Sequence, residues 1–241
     1  MTTLNQNEVD KFSAISSEWW NENGKFKPLH CFNPIRLQFI SKHLAEHFKL
    51  NINQHQFLTG LSLIDIGCGG GLVAEPMANL GAEVLAIDAS ATNIEVAKIH
   101  AKQSNLTINY KQATPEQIAQ ENQHFDVVLA LEVIEHVENI ELFLQACSNL
   151  LKPGGVLFVA TINRNLKSLL FAKFGVEYVL RWLPIGTHHW HKFLKPAEIV
   201  NSASKFNLNL KHLQGFSYNI FTNTWQESQN IDINYCLSFT K

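Results

Sequence analysis

The chain has 241 residues, of which 46% are hydrophobic and 17% charged, and this composition excludes a disordered or collagen-like protein. Its length suits one globular domain, or a main domain with an appended segment. Because 19 Lys and Arg residues against 21 Asp and Glu residues give a net charge of −2, no basic surplus is present for binding nucleic acid.

The N-terminal part of the chain, residues 1–55, is predicted to form a helical lid on a single domain. Hydrophobic spacing indicates helices over residues 8–20 and 34–49. The connection between them contains Pro28 and Pro34, and it is predicted to be a loop because prolines interrupt helices.

A core of alternating strands and helices is predicted between residues 56 and 162. Five apolar runs have the length and composition of strands, at residues 61–66, 83–87, 106–110, 125–130 and 156–160. Four stretches with helical spacing separate them, at residues 72–80, 91–103, 115–120 and 140–151. Such alternation predicts a parallel sheet with right-handed crossover helices. The run Lys152-Pro153-Gly154-Gly155 is predicted to stop the chain before the strand that follows.

An inserted segment, residues 163–193, interrupts this alternation before a C-terminal part of the sheet at residues 194–241. Within it, residues 164–182 combine apolar side chains at helical spacing with basic and aromatic ones. This amphipathic pattern indicates a helix lying on a membrane surface or a cap over the binding site, and the two are compatible. The histidines within residues 188–191 are interpreted as a loop lining a substrate pocket, because neighbouring histidines rarely face one ion. The C-terminal part is predicted to contain a helix at 196–206 and strands at 208–213 and 233–239.

A glycine-rich loop follows the first strand of the core, with the sequence Asp65-Ile66-Gly67-Cys68-Gly69-Gly70-Gly71. Glycines allow the backbone to turn sharply and approach a ligand, and cofactors bind outside the carboxyl ends of such strands. Asp88 ends the second strand, where its carboxylate can accept hydrogen bonds from ribose hydroxyls; a strand-end cap is the alternative. Without Gly-Lys-Ser/Thr the loop is no P-loop. A carboxylate at Asp65 disfavours a pyrophosphate but can orient an ammonium group, so the pairing of Asp65 with Asp88 favours S-adenosylmethionine, a cationic ligand without phosphates.

Residues 65–69, Asp88, the strand at 125–130 and the run at 151–155 together resemble the class I S-adenosylmethionine-dependent methyltransferases. That resemblance implies an α/β, Rossmann-like fold with a mostly parallel sheet of seven strands, helices on both faces and an antiparallel final hairpin. A more specific resemblance is to the ubiquinone-biosynthesis O-methyltransferases. It is carried by blocks outside the shared motif, at residues 19–36, 132–136, 161–165, 177–181, 184–188 and 219–225.

The resemblance to this family implies a reaction and a set of cofactor contacts. The reaction is O-methylation of a ring hydroxyl on a polyprenyl hydroxyphenol (catechol) precursor and on the demethylated ubiquinol. The residues implied to contact S-adenosylmethionine are Arg36, Gly67, Asp88 and Leu131. Arg36 offers a planar fork to the methionine carboxylate, and Leu131 can pack beside the adenine or methionine part.

Glu132, Glu135 and His136 form an acidic–histidine cluster after the fourth strand. If this stretch is helical, their spacing of i, i+3 and i+4 places them on one face. Besides a solvated helix start, two interpretations stay open. The three side chains bind a divalent cation, which the resemblance implies to be Mg²⁺, or His136 is the catalytic general base. A catechol can chelate Mg²⁺, which stabilises the phenolate, so the metal site is ranked first.

Several features bear on the compartment and partners of the protein. No apolar run reaches the roughly 18 residues that cross a bilayer, the N-terminus lacks a secretory signal, and the four cysteines contain no CxxC pair. We therefore expect a cytoplasmic protein that contacts the inner face of the membrane through residues 164–182; the resemblance adds an assembly of ubiquinone-pathway enzymes. Alternative functions are another small-molecule methyltransferase, a dinucleotide-dependent dehydrogenase and a non-catalytic nucleotide-binding module.

Overall fold

One sheet of eight strands organises the computed structural model, which describes residues 2–165, 193–219, 222 and 224–241. Within these residues the strands are β1 (Ser62–Ile66), β2 (Glu83–Asp88), β3 (Asn109–Gln112), β4 (Phe125–Leu131), β5 (Leu151–Ile162), β6 (Asn209–Asn219), β7 (Thr224–Ser228) and β8 (Asn234–Thr240). The α-helices are α1 (Gln6–Ser13), α2 (Lys27–Phe48), α3 (Ala74–Asn79), α4 (Ala91–Gln103), α5 (Pro115–Gln120), α6 (Ile140–Leu150) and α7 (Pro196–Ser204). Across the sheet the strands lie in the order β3-β2-β1-β4-β5-β8-β6-β7.

The pairing of the strands confirms the predicted α/β architecture in all but the strand count. Strands β1 to β5 pair in parallel, whereas β8 runs antiparallel to both β5 and β6. The expectation of seven strands is wrong, because β7 pairs antiparallel with β6 and adds an eighth at the sheet edge. In β7 only Trp225 carries a large apolar side chain, so the alternation that marks a strand in a sequence is missing there.

The two faces of the sheet are covered by separate helical layers. Alternate residues of a strand point to opposite faces, so Leu63 belongs to one apolar cluster and Ile64 to the other. Helices α2, α3 and α4 contribute to the first cluster, including the fully buried Leu44. Helices α5, α6 and α7 contribute to the second, including Leu144. Because both faces are occupied, loops at the carboxyl ends of the strands are the place where a ligand can bind.

The N-terminal helices differ from the prediction of one helix over residues 8–20 followed by a loop. Helix α1 ends at Ser13, and a short 3-10 turn follows at Ser16–Glu18. Helix α2 includes Pro28 and Pro34, for which the sequence predicts a loop. Pro28 lies in the first turn, where its missing N–H would have no helical acceptor. Pro34 lies inside the helix, where the packing of the surrounding helix against the sheet overrides its local preference.

Strand β5 begins earlier than the sequence predicts. It starts at Leu151 and so includes residues 152–155, where a break is predicted. The irregularity appears instead as a register shift against β4, between Phe125 and Val127. The preceding helix, predicted over residues 140–151, begins at Ile140 as predicted and ends at Leu150, one residue earlier.

Most of the inserted segment lies outside the described residues. The amphipathic pattern predicted over residues 164–182, apart from its first two residues, and the histidines within 188–191 both lie there. Among the helices that the structure does describe, none combines the length and the apolar character needed to span a bilayer.

Candidate active site

A cavity of about 820 Å³, including its open mouth, lies at the carboxyl ends of β1, β2 and β4. Its walls include Gly67 and Gly69 of the glycine loop, Asp88 at the end of β2, and Glu132 and His136 after β4. The carboxyl ends of parallel strands meet at one edge of a sheet, so three segments distant in sequence share this cavity. The glycine loop, Asp88 and the acidic–histidine cluster therefore lie beside one another.

The glycine loop turns so tightly that a side chain is excluded at two of its positions. Gly67 and Gly69 have φ angles of +71° and +54°, a region that side chains other than glycine rarely adopt. A Cβ atom at Gly67 would lie 2.8 Å from Cγ2 of Val133, and one at Gly69 would lie 2.4 Å from the ring of Trp19. The backbone N–H of Gly67 donates to the carbonyl of Ile87 at 2.8 Å, which ties the loop to β2.

Asp88 links the glycine loop to the start of α4. Its Oδ2 accepts from the backbone N–H of Gly69 at 2.9 Å, and its Oδ1 accepts from the backbone N–H of Ser90 at 2.8 Å and from Nδ2 of Asn93 at 3.2 Å. Burial raises the pKa of this carboxyl, and the hydrogen bonds oppose that rise. A carboxylate has about four acceptor positions, so about one remains for a ribose hydroxyl. Asp88 therefore both caps the loop and lines the cavity.

Asp65 and Leu131 lie behind the cavity wall. Asp65 is 3% exposed; burial raises its pKa to about 7, while the charge of Arg36 acts in the opposite direction. Oδ2 of Asp65 is buried and has no hydrogen-bond partner, so it can accept a hydrogen bond from an ammonium group. Leu131 is buried and packs in the apolar cluster to which α2 contributes. Asp65 thus offers an acceptor, whereas Leu131 contributes packing.

Arg36 reaches the site from α2 and is 2% exposed. Its Nη1 donates to Oε1 of Glu132 at 3.2 Å, and its Nη2 donates to Oδ1 of Asn33. Its guanidinium carbon lies 5.1 Å from the ring centre of Phe32, and its Nε has no hydrogen-bond partner. Arg36 therefore places a buried positive charge beside the acidic–histidine cluster.

The segment after β4 does not form the α-helix that would place its three functional side chains on one face. Glu132 has a φ angle of +55°, and the 3-10 turn that follows covers only Ile134–His136. Burial, and then the charge of Glu135, raise the pKa of Glu132 to about 7, although Arg36 opposes them. Glu135 is 7% exposed and its Oε2 has no hydrogen-bond partner.

His136 is held from across the cavity by α1. Its Nδ1 lies 3.0 Å from Oε2 of Glu8, which is itself 7% exposed, and its ring meets the ring of Phe12 edge to face at 5.2 Å. Burial lowers the pKa of His136, but the hydrogen bond with Glu8 and the charge of Glu135 outweigh that and raise it. Nothing in the sequence pattern marks Glu8 as a partner of His136.

The acidic–histidine cluster meets one requirement of a divalent cation site and misses another. Two carboxylates and an imidazole are suitable donors, and the unpartnered Oε2 of Glu135 is an acceptor inside the protein. The ligand atoms of Glu132, Glu135 and His136 do not, however, all lie within 4.8 Å of one another. The donor chemistry therefore fits Mg²⁺, while a shared ion requires these side chains to move closer together.

The N-terminal segment covers the cavity and is attached to both of its functional walls. Residues from this segment form part of the lining, namely Thr3, Leu4, Asn5, Glu8, Val9, Phe12 and Trp19. The backbone N–H of Glu138 donates to the carbonyl of Thr3 at 3.0 Å, and Nε1 of Trp20 donates to the carbonyl of Gly70 at 2.9 Å. The part of the predicted lid that reaches the site is therefore its first twenty residues and the buried side of α2.

Sequence comparison finds relatives along the whole chain. A family described as "Methyltransferase domain" matches residues 64–159. A protein of Pelagibacter ubique named "Ubiquinone biosynthesis O-methyltransferase" is 49% identical over 241 residues, which is 100% of each chain. A protein of the same name from Chelativorans sp. is 50% identical over 234 residues, covering 97% of this chain and 92% of that one.

Comparison of structures finds the same fold at low sequence identity. A magnesium protoporphyrin IX methyltransferase from Synechocystis, solved with bound SAM, superposes with a TM-score of 0.61 at 15% identity over 100% of both chains. A possible histamine N-methyltransferase from Thermotoga maritima gives a TM-score of 0.61 at 16% identity, over 97% of this chain and 99% of that one. At these identities the likeness establishes the fold and leaves the substrate to the site itself.

Proposed function

Since the chain belongs to the ubiquinone biosynthesis O-methyltransferase family, we propose that it methylates ring hydroxyls of a polyprenyl hydroxyphenol (catechol) precursor and of the demethylated ubiquinol. Membership of this family makes it an S-adenosylmethionine-dependent O-methyltransferase of ubiquinone biosynthesis. The observation that carries the proposed chemistry is the single cavity in which Gly67, Gly69 and Asp88 lie beside Glu132 and His136. A nucleoside-binding wall and a wall of titratable groups are the two parts that such a transfer requires.

The donor side of the cavity fits S-adenosylmethionine. The backbone of the glycine loop lines the cavity at Gly67 and Gly69, Asp88 retains about one acceptor position for the ribose, and Asp65 has a buried oxygen without a partner. Arg36 supplies the positive charge for the methionine carboxylate, and Leu131 lies in the apolar packing behind the loop. When bound, this cofactor supplies a methyl group on a sulfonium, which an acceptor oxygen takes as S-adenosylhomocysteine leaves.

On the acceptor side, His136 is the proposed general base. A phenol is a poor nucleophile at neutral pH, so its proton has to be removed as the methyl group is transferred. Glu8 holds Nδ1 of the imidazole at 3.0 Å, which leaves Nε2 as the nitrogen for the substrate proton. The raised pKa of His136, to which its hydrogen bond with Glu8 and the charge of Glu135 contribute against the effect of burial, strengthens it as a base near neutral pH.

The same cluster is the proposed site for Mg²⁺. Glu132, Glu135 and His136 would hold the ion, and the unpartnered Oε2 of Glu135 supports this assignment. When bound, Mg²⁺ supplies a Lewis acid that stabilises a phenolate. As a metal ligand His136 would use the lone pair that it needs as a base, so metal dependence decides between its two roles.

Residues 164–182 are the proposed contact with the membrane. A polyprenyl tail keeps the substrate in lipid, and the basic, amphipathic composition of this segment suits the surface of an anionic bilayer. Sedimentation with anionic vesicles tests this: binding that salt weakens is expected, and a lack of binding at low salt would remove the proposal. A position at the cytoplasmic face of the membrane is proposed together with this contact, and an assembly with other enzymes of the pathway is proposed from family membership.

Methyl transfer to a short-tailed catechol from labelled S-adenosylmethionine tests the proposed function. The expected result is a singly O-methylated product, whose formation a chelator lowers and added Mg²⁺ restores. Transfer that is insensitive to chelator would leave His136 as the base without a metal. No transfer to the catechol, with NAD rather than S-adenosylmethionine raising the melting temperature, would contradict the proposal.

Two aspartates make a matched pair for the donor site. Asp88→Ala is expected to weaken S-adenosylmethionine binding by about 10–100-fold, the range for loss of charged hydrogen bonds. The control, Asp126→Ala, removes a carboxylate that also accepts three hydrogen bonds, two from Ser62 at 2.9 and 2.7 Å and one from Lys152 at 2.8 Å. Because Asp126 lies near the amino end of β4, this variant is expected to bind the cofactor normally in a calorimetric titration.

A further inference from the structure

A second group of potential metal ligands lies between α2 and β6. His43 and Glu46 are one turn apart on α2, with Nδ1 of His43 at 3.1 Å from Oε2 of Glu46. The ring of His212, from β6, stacks on the ring of His43 with a centroid distance of 3.9 Å and an angle of 28°. The ligand atoms of these three residues all lie within 4.8 Å of one another, and no other group of this kind occurs among the residues that the structure describes.

We propose that His43, Glu46 and His212 bind one transition-metal ion of the kind that prefers imidazole, such as Zn²⁺, and that the ion fastens α2 to β6. Two imidazoles and a carboxylate form a donor set found in zinc sites, where a water or other ligand completes the tetrahedron. The site takes its donors from two elements far apart in the sequence, so a bound ion would link the helix to the sheet.

The surroundings of the three side chains allow them to close on an ion. Zinc binds nitrogen at about 2.0–2.1 Å, which places the donors of one tetrahedron about 3.3 Å apart. His212 and Glu46 are exposed, so their side chains can rotate to bring the ligand atoms to this separation without repacking the core. His43 is partly buried, and its ring meets that of Phe39 edge to face at 4.4 Å, which gives the ion one oriented ligand.

The pKa of His43 also suits a metal ligand. Burial, and then the neighbouring His212, lower the pKa of His43 despite the opposing charge of Glu46. A neutral imidazole is the form that binds a metal, so at neutral pH little competition from protons is expected. Lys42 is the remaining charged group that acts on His43, and its charge acts in the same direction as His212.

The proposed ion differs in chemistry from the Mg²⁺ proposed for the active site. Mg²⁺ prefers oxygen ligands and water, whereas imidazole suits zinc, copper and nickel. We therefore expect Zn²⁺ to bind between α2 and β6 and Mg²⁺ not to compete for that place. The inference is independent of the proposed methyl transfer, because none of its three residues lines the cavity.

Calorimetric titration of the metal-free full chain with Zn²⁺ tests the proposal. His43→Ala and His212→Ala are each expected to lose one equivalent of bound Zn²⁺, or to weaken that equivalent by about 10–100-fold or more, the range seen even for weaker, outer contacts of metal sites. Comparing equivalents isolates this site from the histidines within residues 188–191. The melting temperature of the wild type is expected to rise with Zn²⁺, and that of the two variants to rise less.

His47→Ala is the matched control. His47 is exposed on the same helix, four residues after His43, but its Nε2 lies 2.8 Å from the carbonyl of Gly154. The variant is expected to keep the Zn²⁺ equivalent, and to keep the visible spectrum of tetrahedral Co²⁺ that His212→Ala loses. If His47→Ala loses the ion, or if all variants bind like the wild type, the proposed site is wrong.

Discussion

The glycine loop and the turn after β4 are two walls of one cavity, but they hold their shape in different ways. In the loop, positive φ angles fall on glycines, and the N–H groups of Gly67 and Gly69 have acceptors in Ile87 and Asp88. In the turn, the positive φ angle falls on Glu132, whose pKa burial raises to about 7. A buried carboxylate oxygen without a partner lies on each side, on Asp65 before the loop and on Glu135 in the turn.

This difference suggests separate roles, with the glycine loop binding the cofactor and the turn after β4 holding the reacting groups. A loop whose backbone is relaxed and hydrogen-bonded is already in shape for a nucleoside and loses little entropy when one binds. A non-glycine residue with positive φ costs about 1–2 kcal/mol, a cost that the turn carries at Glu132 and that the loop avoids because its positive φ angles fall on glycines. Such costs collect where reacting groups have to be held in place by the rest of the fold. We therefore expect the glycine loop to determine the affinity for the cofactor and the turn after β4 to determine kcat.

Gly69→Ala is expected to have the largest effect, because it disrupts the packing and backbone conformation of the glycine loop. The new Cβ would lie 2.4 Å from the ring of Trp19, and overpacking of this kind costs about 1–3 kcal/mol, to which the positive φ adds about 1–2 kcal/mol. We expect a large loss of stability in urea together with loss of cofactor binding. Gly154→Ala is the control: its φ of +77° is similar, but no atom lies within 4 Å of the added Cβ. It should show only the φ penalty and bind the cofactor normally.

Glu135→Gln tests the opposite wall, where the expected loss is in rate. Removing the charge while keeping the shape should lower kcat by about 100-fold, as for loss of a group that acts on a proton or an ion. Binding of S-adenosylmethionine should stay within about twofold, since an interaction made only in the transition state does not alter ground-state affinity. Single-turnover kinetics and a binding isotherm measure the two quantities separately.

Glu116→Gln is the matched control for Glu135→Gln. Glu116 is 8% exposed and also has a buried Oε2 without a partner, but it does not line the cavity. It should therefore leave kcat unchanged. If Glu135→Gln lowers the affinity for the cofactor as much as it lowers kcat, the turn contributes to cofactor binding and the two walls do not differ in this way.

Glu8→Gln tests whether Glu8, in the N-terminal segment, supports His136 as the general base. The amide oxygen can still accept from Nδ1, but it cannot stabilise the positive charge that a base acquires. We expect kcat to fall by about tenfold, in the range for a partner that orients a functional histidine, while the KM for the cofactor stays unchanged. Glu18→Gln, which breaks the partly exposed pair of Glu18 with Lys25 at 3.2 Å, should change neither kcat nor this KM. If Glu8→Gln lowers kcat and stability together, Glu8 acts only by holding the N-terminal segment over the cavity.

The two walls also differ in how far the sequence predicts them. The loop is predicted in detail, because it follows a buried apolar run that reads as strand β1. Asp88 likewise directly follows the apolar run of β2. The turn is predicted only as a cluster of residue types. Neither the positive φ of Glu132 nor the contact between Glu8 and His136 has a local signal, because both depend on how distant segments pack. Strand β7 is missed for a related reason: its pairing with β6, rather than its own pattern, makes it a strand.

Asp65→Asn acts on the pH dependence of stability and tests whether the carboxyl before the loop is buried at a cost. Burial raises the pKa of Asp65 from 3.8 to about 7 in the folded chain, so between these values the folded state holds a proton that the unfolded state has lost. Stability therefore falls as pH rises from about 4 to about 7. Asn does not titrate, so the variant should lose the share of this fall that Asp65 contributes, on the order of 4 kcal/mol in unfolding free energy over the whole interval, at about 1.4 kcal/mol for each unit of pKa shift. Glu132 keeps its own share because its pKa is raised in the same way. An unchanged slope in urea titrations at several pH values would mean that the pKa of Asp65 is not raised in the folded protein.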